Sequence, residues 1–452
     1  MNPSRMQDEA GITTQAARFA TDRSVSFPSA ALNFARLSFY DIFAVALAGQ
    51  DEPASRIVRE LVVREGGTPQ ASAFGMETRI PPRAAALLNG TVAHALDYDD
   101  THFAFVGHPS VAVLPAALAV AEQQQADGNA VLEAFLCGVE ATCRIGQWLG
   151  RAHYNAGFHQ TATSGAFGAT AACSRLLGLD VTQATHAFGL AATRASGLKC
   201  QFGSMGKPFH AGMAAANGVE AATLASLGFE SRRDAIEGTG GFASTHGAQT
   251  AHGSDPFGGL PQHFRFVDVQ YKFHACCHGT HPALEALLAL RTKHGLLTED
   301  IDRVRLHINP QWLPVCCIAR PQTGLEAKFS LAFTAAMVLN GLDTAAPGAF
   351  SVSMCGDPAL VSLMQRVSIH ADPEVTDTAS RAVIETRDGS CFEHTVELAD
   401  PIPSAEQLKK LQGKARALIG AALSEDLWCL VEALHTLPAR EVYPRIHALM
   451  NP

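Results

Sequence analysis

Between Ala93 and Ser110 the chain reads A-H-A-L-D-Y-D-D-T-H-F-A-F-V-G-H-P-S. Carboxylates stand at Asp97, Asp99 and Asp100, imidazoles at His94, His102 and His108, and hydroxyls at Thr101 and Ser110. Ionisable side chains are seldom buried without partners, yet these lie between Ala-rich apolar stretches at 82–96 and 111–121. Helix capping asks for one or two such residues. The density here predicts the rim of a site in which carboxylates and imidazoles move protons.

Four further stretches are rich in titratable groups: G-F-H-Q-T-A-T-S-G (157–165), G-S-M-G-K-P-F-H-A-G (203–212), Y-K-F-H-A-C-C-H-G-T-H (271–281) and R-P-Q-T-G-L-E-A-K-F-S (320–330). Several are glycine- or hydroxyl-rich helix entries carrying His159, Lys207 or His210. Backbone N–H groups at helix starts, joined by basic side chains, bind carboxylates well. A small anionic carboxylate substrate is therefore expected. His274, His278 and His281 have helical spacing for a metal, but Gly279 and Pro282 break the helix, and neither C-x-x-C nor H-E-x-x-H occurs. No metal is expected. Glycine signatures for dinucleotides or nucleoside phosphates and the G-x-S-x-G elbow are also missing, so the reading is of an enzyme that needs no cofactor.

The elements that would hold these groups read mainly as helix. Helical patterning runs through 16–47, with S-V-S-F-P-S as a break and cap near Ser26, and through 56–64, 82–95, 111–124, 129–150, 163–177, 182–195 and 211–227. The glycine-rich 238–259 reads as a long surface loop. After Phe264 the character changes: strand patterning at 266–272, 304–308, 367–370, 382–386 and 393–398 surrounds helices at 281–294, 326–340 and 358–365, with a hairpin at Asp388–Gly389. Helix returns from 404 to 450. The expectation is a mainly α protein: a large all-helical domain (1–264 plus 400–452) with a smaller inserted α/β domain (265–399).

At 452 residues, 47% hydrophobic and 17% charged, the chain can bury a substantial core. A net charge of −9 argues against nucleic-acid binding, which wants a basic face. No uninterrupted apolar run reaches about 18 residues, the length of a membrane span, so no membrane partner is expected. The first ten residues are polar and acidic, without a signal-like apolar core. Eleven cysteines, mostly within apolar stretches, read as reduced thiols of a cytoplasmic protein.

H-A-L-D-Y-D-D-T-H followed by H-P-S resembles the signature of the MmgE/PrpD family. G-F-H-Q-T-A-T, S-M-G-K-P-F-H-A-G-M-A-A-A-N-G and E-A-K-F-S are similar to further family blocks, in the same order. The family includes 2-methylcitrate dehydratases, cis-aconitate decarboxylases and iminodisuccinate epimerase. The resemblance implies a homodimer with Asp97, Thr101, His108, His159, Lys207 and Lys272 in the catalytic pocket. His102, His210, Cys277 and His278, from the same stretches, are the expected further substrate contacts. Two departures stand out: one extra residue separates Thr101 from His108 relative to the decarboxylase pattern, and Cys277 stands where the decarboxylases place a histidine.

All three activities move a proton at a carbon beside a carboxylate, and the enolate-like dianion needs nearby positive charge. Lys207 and Lys272 are expected to supply that charge, His159 to hold carboxylates and Thr101 to orient a substrate oxygen. His108 or Asp97 is expected to be the base. The leading expectation is a lyase that dehydrates a hydroxylated di- or tricarboxylate of the 2-methylcitrate type. An epimerase of a dicarboxylate such as iminodisuccinate comes next, and a cis-aconitate-type decarboxylase third.

Overall fold

The computed structural model describes residues 11–247 and 255–452. The polar N-terminal segment and the centre of the glycine-rich 238–259 stretch lie outside the described residues. The chain is mainly α and divides into two compact units, Met1–Tyr271 with Ala421–Pro452, and Lys272–Gly420.

In the first unit, local signals start and stop the helices. The order is α1 (Ile12–Thr21), α2 (Ser29–Gly49), α3 (Pro53–Glu65), α4 (Pro82–His94), α5 (Ser110–Gln124), α6 (Gly128–Asn155), α7 (Gln160–Leu177), α8 (Val181–Arg194) and α9 (Gly206–Ser226). Proline opens α3 and α4, where its missing N–H costs nothing. The Asp127 carboxylate caps α6, and Asp180 and Gln183 form a capping box on α8. Gly178 ends α7 in the left-handed conformation.

Helix α7 is buried from Gln160 to Arg175 and packs on α5, α6, α8 and α9. Its Ala, Gly, Ser and Thr side chains let these neighbours approach closely. The same economy brings α4 against α9: a Cβ at Gly90 would lie 2.8 Å from the Gly212 Cα, and one at Gly212 would lie 2.2 Å from the Leu87 carbonyl oxygen. That crossing fixes His94, at the end of α4, relative to Lys207 and His210, at the start of α9.

By length and mean hydropathy α2 is apolar enough to cross a membrane, although Arg36 and Asp41 interrupt its apolar run. However, 72% of its most apolar window is buried inside the fold. Phe39 stacks on Phe43 at 5.0 Å and Tyr40 meets Trp428 edge-on at 5.4 Å. Within the unit it is a core helix.

The second unit holds a four-stranded sheet of order β2-β1-β3-β4: β1 (Ile301–Ile308), β2 (Val367–Ala371), β3 (Ala379–Thr386) and β4 (Cys391–Glu397). β1 pairs parallel with β2 and antiparallel with β3, and β3 pairs antiparallel with β4. Ile301, Val304, Leu306 and Ile308 turn inward from β1, and the helix His281–His294 packs over β3 and β4. The expected hairpin turn forms at Asp388–Gly389. Gly389 takes φ 89°, and Asp388 Oδ1 accepts from Thr386 Oγ1 (2.6 Å) and Ser390 N (3.0 Å).

Two expected elements differ. Residues 266–272 form a short 3₁₀ turn, Phe266–Asp268, with one isolated bridge from Gln270 to Thr101. The buried Glu140 carboxylate takes the Arg265 and Phe266 N–H groups at 2.8 and 3.1 Å, so no strand ladder claims them. The helix read at 326–340 breaks into Gly324–Ala327 and Leu331–Leu339. Between them Phe329 and Ser330 run beside 317–318, where Ile318 N donates to the Phe329 carbonyl at 3.1 Å.

Candidate active site

The stretch from 94 to 110 leaves α4, makes an irregular loop and enters α5. Asp97 takes a left-handed φ of 52°, uncommon outside glycine but tolerated by aspartate. This turn separates three adjacent acids into different environments. Asp97 keeps 37% of its side chain exposed, whereas the Asp99 side chain is fully enclosed.

Asp99 bridges two imidazoles. Its Oδ1 lies 2.8 Å from His94 Nδ1 and its Oδ2 lies 2.9 Å from His108 Nδ1. The other nitrogen of His108, Nε2, faces Asp97 Oδ1 at 3.4 Å. Lys207 then pairs with the second oxygen of Asp97. Burial alone would raise the Asp99 carboxyl, but His108 and His94 outweigh it and hold it well below the usual carboxylate range. His108 thus faces a carboxylate at each of its two ring nitrogens.

The remaining imidazoles lie deeper. His94 stacks at 6.0 Å from His159, and His159 Nδ1 approaches His210 Nδ1 at 3.1 Å. Burial, with Lys207 and the neighbouring imidazoles adding like charge, pushes His159 well below its ordinary value. Burial first, then His94 and Lys207, takes His210 down to about 4. Near neutral pH these two rings are neutral, one donating to the other. Phe202 lies edge-on to His159 at 4.9 Å, with the Lys207 ammonium 5.3 Å from its ring. Thr161, in the first turn of α7, accepts the His108 backbone N–H at 3.0 Å.

Asp100 has a different environment. It is fully buried; its Oδ2 accepts from Ser110 Oγ (2.5 Å) and Ser38 Oγ (3.2 Å), and Ser38 in turn meets the Tyr271 hydroxyl at 2.8 Å. Burial pushes its pKa up to about 8, with Asp41 and Asp99 adding repulsion and the Ser110 bonds opposing. Folding thus retains a proton that the unfolded chain releases near pH 4, so this group costs stability as pH rises from about 4 to 8. Asp100→Asn keeps the acceptor oxygen without the ionisation. In chemical denaturation at a series of pH values, the variant should lose less stability than the parent between pH 5 and 8. Parallel curves would contradict a retained proton.

Of the expected residues, the structure brings Asp97, His108, His159, Lys207 and His210 into one continuous cluster. Asp99 and His94 complete it; both lay in the opening stretch but were not among the expected pocket residues. Thr101 and His102 lie beside the cluster. The Thr101 N–H donates to the Gln270 carbonyl at 2.8 Å. His102 Nε2 meets the Arg265 carbonyl at 3.0 Å, and its backbone closes a small bridge with Gly107.

Lys272, Cys277 and His278 belong to the second unit. Lys272 is buried to 4% exposure. The His278 and His281 rings lie 4.5 Å apart, and His274 meets His281 at 4.9 Å. His274 Nδ1 bonds Thr344 Oγ1 at 2.6 Å and Nε2 faces Glu285, which also pairs with Lys410 at 2.9 Å.

Residues 14–252 match the MmgE/PrpD N-terminal domain, and residues 274–432 match the MmgE/PrpD C-terminal domain. The chain belongs to the MmgE/PrpD family. Curated relatives include a cis-aconitate decarboxylase of Aspergillus terreus, 26% identical over 98% of this chain and 97% of its own length. The cis-aconitate decarboxylase of Mus musculus is 27% identical over 81% of this chain and 79% of its own. That of Homo sapiens is 30% identical over 66% of this chain and 63% of its own. Both MmgE/PrpD matches together span the proton-moving cluster and the sheet-bearing unit. The relatives are named as enzymes, and a decarboxylase is a lyase.

Proposed function

We propose that the chain is a cofactor-independent lyase of small polycarboxylates that makes or breaks a C–H bond beside a carboxylate. The observation that carries this reading is His108 held between Asp97 and Asp99, with Lys207 on Asp97. In this reading His108, which faces a carboxylate at each ring nitrogen, is the proton donor. Decarboxylation of an unsaturated tricarboxylate such as cis-aconitate needs that order of events. The C–CO2 bond breaks, its electron pair spreads into an enolate-like dianion, and an acid then protonates carbon. Lys207 offsets the developing charge, and a substrate carboxylate reaching it competes with Asp97, the most exposed acid of the cluster.

The curated relatives also support decarboxylation, which therefore moves ahead of the dehydration favoured by sequence. Dehydration remains the second reading because Cys277 replaces a histidine of the decarboxylase pattern. There, deprotonated His108 or Asp97 would take the α-proton, and an acid would protonate the leaving hydroxyl.

Incubating the protein in D2O with cis-aconitate, 2-methylcitrate and iminodisuccinate, followed by NMR, tests these readings. Decarboxylation gives loss of one carbon with one deuteron incorporated. Dehydration gives a new alkene from the hydroxy acid. Deuterium entering an α-carbon with skeleton and unsaturation unchanged would overturn the lyase reading in favour of epimerisation.

His94, Asp97, Asp99 and His108 each offer a ligand-type atom within 4.8 Å of the others, a donor set that also suits a divalent metal. The Lys207 ammonium already supplies a cation to this cluster through Asp97. Prolonged chelation is therefore expected to leave turnover unchanged. A stoichiometric metal lost together with activity would refute that.

A further inference from the structure

Helix α6 buries an ion pair that the proton chemistry does not use. Glu140 and Arg144, one turn apart, are both buried and paired with each other. The guanidinium also donates to carbonyls of one distant segment: Pro256 at 2.8 Å, Gly258 at 3.0 Å and His263. Glu140 accepts the N–H groups of Arg265 at 2.8 Å and Phe266 at 3.1 Å. A buried ion pair adds little net stability over apolar side chains of like volume. Its charge-assisted bonds to backbone are directional, however, and they hold residues 256–266 in one position against α6.

The segment held in this way continues along the loop that leaves α4. The Arg265 carbonyl meets His102 Nε2 at 3.0 Å. Gln270 exchanges both backbone hydrogen bonds with Thr101, at 2.8 and 2.7 Å. The Tyr271 hydroxyl reaches Ser38, which donates to Asp100. Asp100 (through Ser38), Thr101 and His102 are thus tied in succession to residues 265–271. Farther along, α6 meets the same loop directly. Phe105 is buried against Gly146, where a Cβ would lie 2.7 Å from the Phe105 Cβ.

We propose that Glu140, Arg144 and Gly146 are positioning residues for the candidate active site. None of their described contacts reaches the acid–imidazole cluster. They act by fixing where the loop 100–107 carries Thr101 and His102. The effect on turnover rests on the lyase reading, whereas the effect on the loop does not. With glutamine at 140, an amide NH2 replaces one acceptor oxygen. It then faces backbone N–H groups or the guanidinium, all of them donors, and leaves a buried polar group unsatisfied.

Hydrogen exchange read by mass spectrometry tests the loop, and steady-state kinetics test the chemistry. In Glu140→Gln the peptides holding Thr101, His102 and Gln270 should exchange about ten-fold faster, the mark of a locally destabilised unit. Peptides of α4 and α9 should keep the parent's rates. The kcat should fall by about 10- to 100-fold, the scale of loss from misplacing substrate-orienting groups. KM should change little, because Lys207 stands on α9. Leu136→Ala, a core truncation elsewhere on α6, controls for stability. It should lower the melting temperature and leave kcat and loop exchange as in the parent. Should Glu140→Gln fail to fold, Gly146→Ala crowds Phe105 with the ion pair intact, and the same two changes are expected. Loop exchange at the parent's rates in the folded variant would overturn the proposal, as would a kcat loss no greater than in Leu136→Ala. A parent that turns over none of the three acids would strike the lyase reading alone, and the exchange measurement would still decide the positioning role.

Discussion

Turnover should fall by about 10²–10⁴-fold in His108→Ala, the usual worth of a positioned proton-transfer group. His108 touches Asp97 and Asp99 through its two nitrogens, and no other described imidazole does so. His94 shares Asp99 but lies fully enclosed, and His159 and His210 are driven neutral by burial and by Lys207. None of them is placed to supply the missing proton. The assay needs a substrate identified by the D2O experiment, with circular dichroism confirming the fold. Should the alanine variant unfold, His108→Gln keeps a donor for Asp99 without a titrating ring. Wild-type turnover in a folded His108 variant would remove this residue from the chemistry.

The largest stability effect is expected at Asp99. Removing one member of a buried charged pair typically costs about 3–5 kcal/mol, because the partner stays behind unpaired. Asp99 has two such partners, and its side chain is wholly enclosed. Asp99→Ala should therefore lower stability by that order in chemical denaturation, well beyond the effect of replacing the half-exposed Asp97. The pH signature is opposite to that of Asp100. A carboxyl depressed by folding contributes its stability above pH 4 and loses it as pH falls toward the folded value. Part of the acid sensitivity of the parent should vanish in Asp99→Ala. An unchanged acid limb would show that the two imidazoles do not hold this carboxylate down.

Periodicity and caps revealed most of the helical scaffold, because α4 to α9 each combine a long apolar pattern with a proline, aspartate or glycine at an end. The local rules failed where distant groups intervened. Glu140 captures the backbone donors at Arg265 and Phe266 across more than a hundred residues, and nothing near Phe266 signals that. Within the site, the cluster of acids and imidazoles was legible as a density of charge, but its division of labour was not. Asp97, Asp99 and Asp100 are neighbours in sequence, yet only the left-handed turn at Asp97 and the burial of the next two give one an ammonium partner, one two imidazoles and one a pair of hydroxyls.

The contact between Gly90 and Gly212 has a bearing on how such a protein can drift. A methyl group at either position has no room, and overpacking a helix crossing costs about 1–3 kcal/mol. The crossing anchors the helix ends that carry His94, Lys207 and His210, so substitutions that would reshape the cleft by sliding α4 along α9 are closed to this lineage. The segment between His102 and Gly107 is pinned at Phe105, where a Cβ at Gly146 would lie 2.7 Å from the buried side chain, but Ala104 is exposed. Its Val106 holds a φ of 57°, a conformation that a β-branched residue occupies only under strain. New substrate preferences would be acquired most cheaply at the exposed Ala104 and the strained Val106, above an immobile floor.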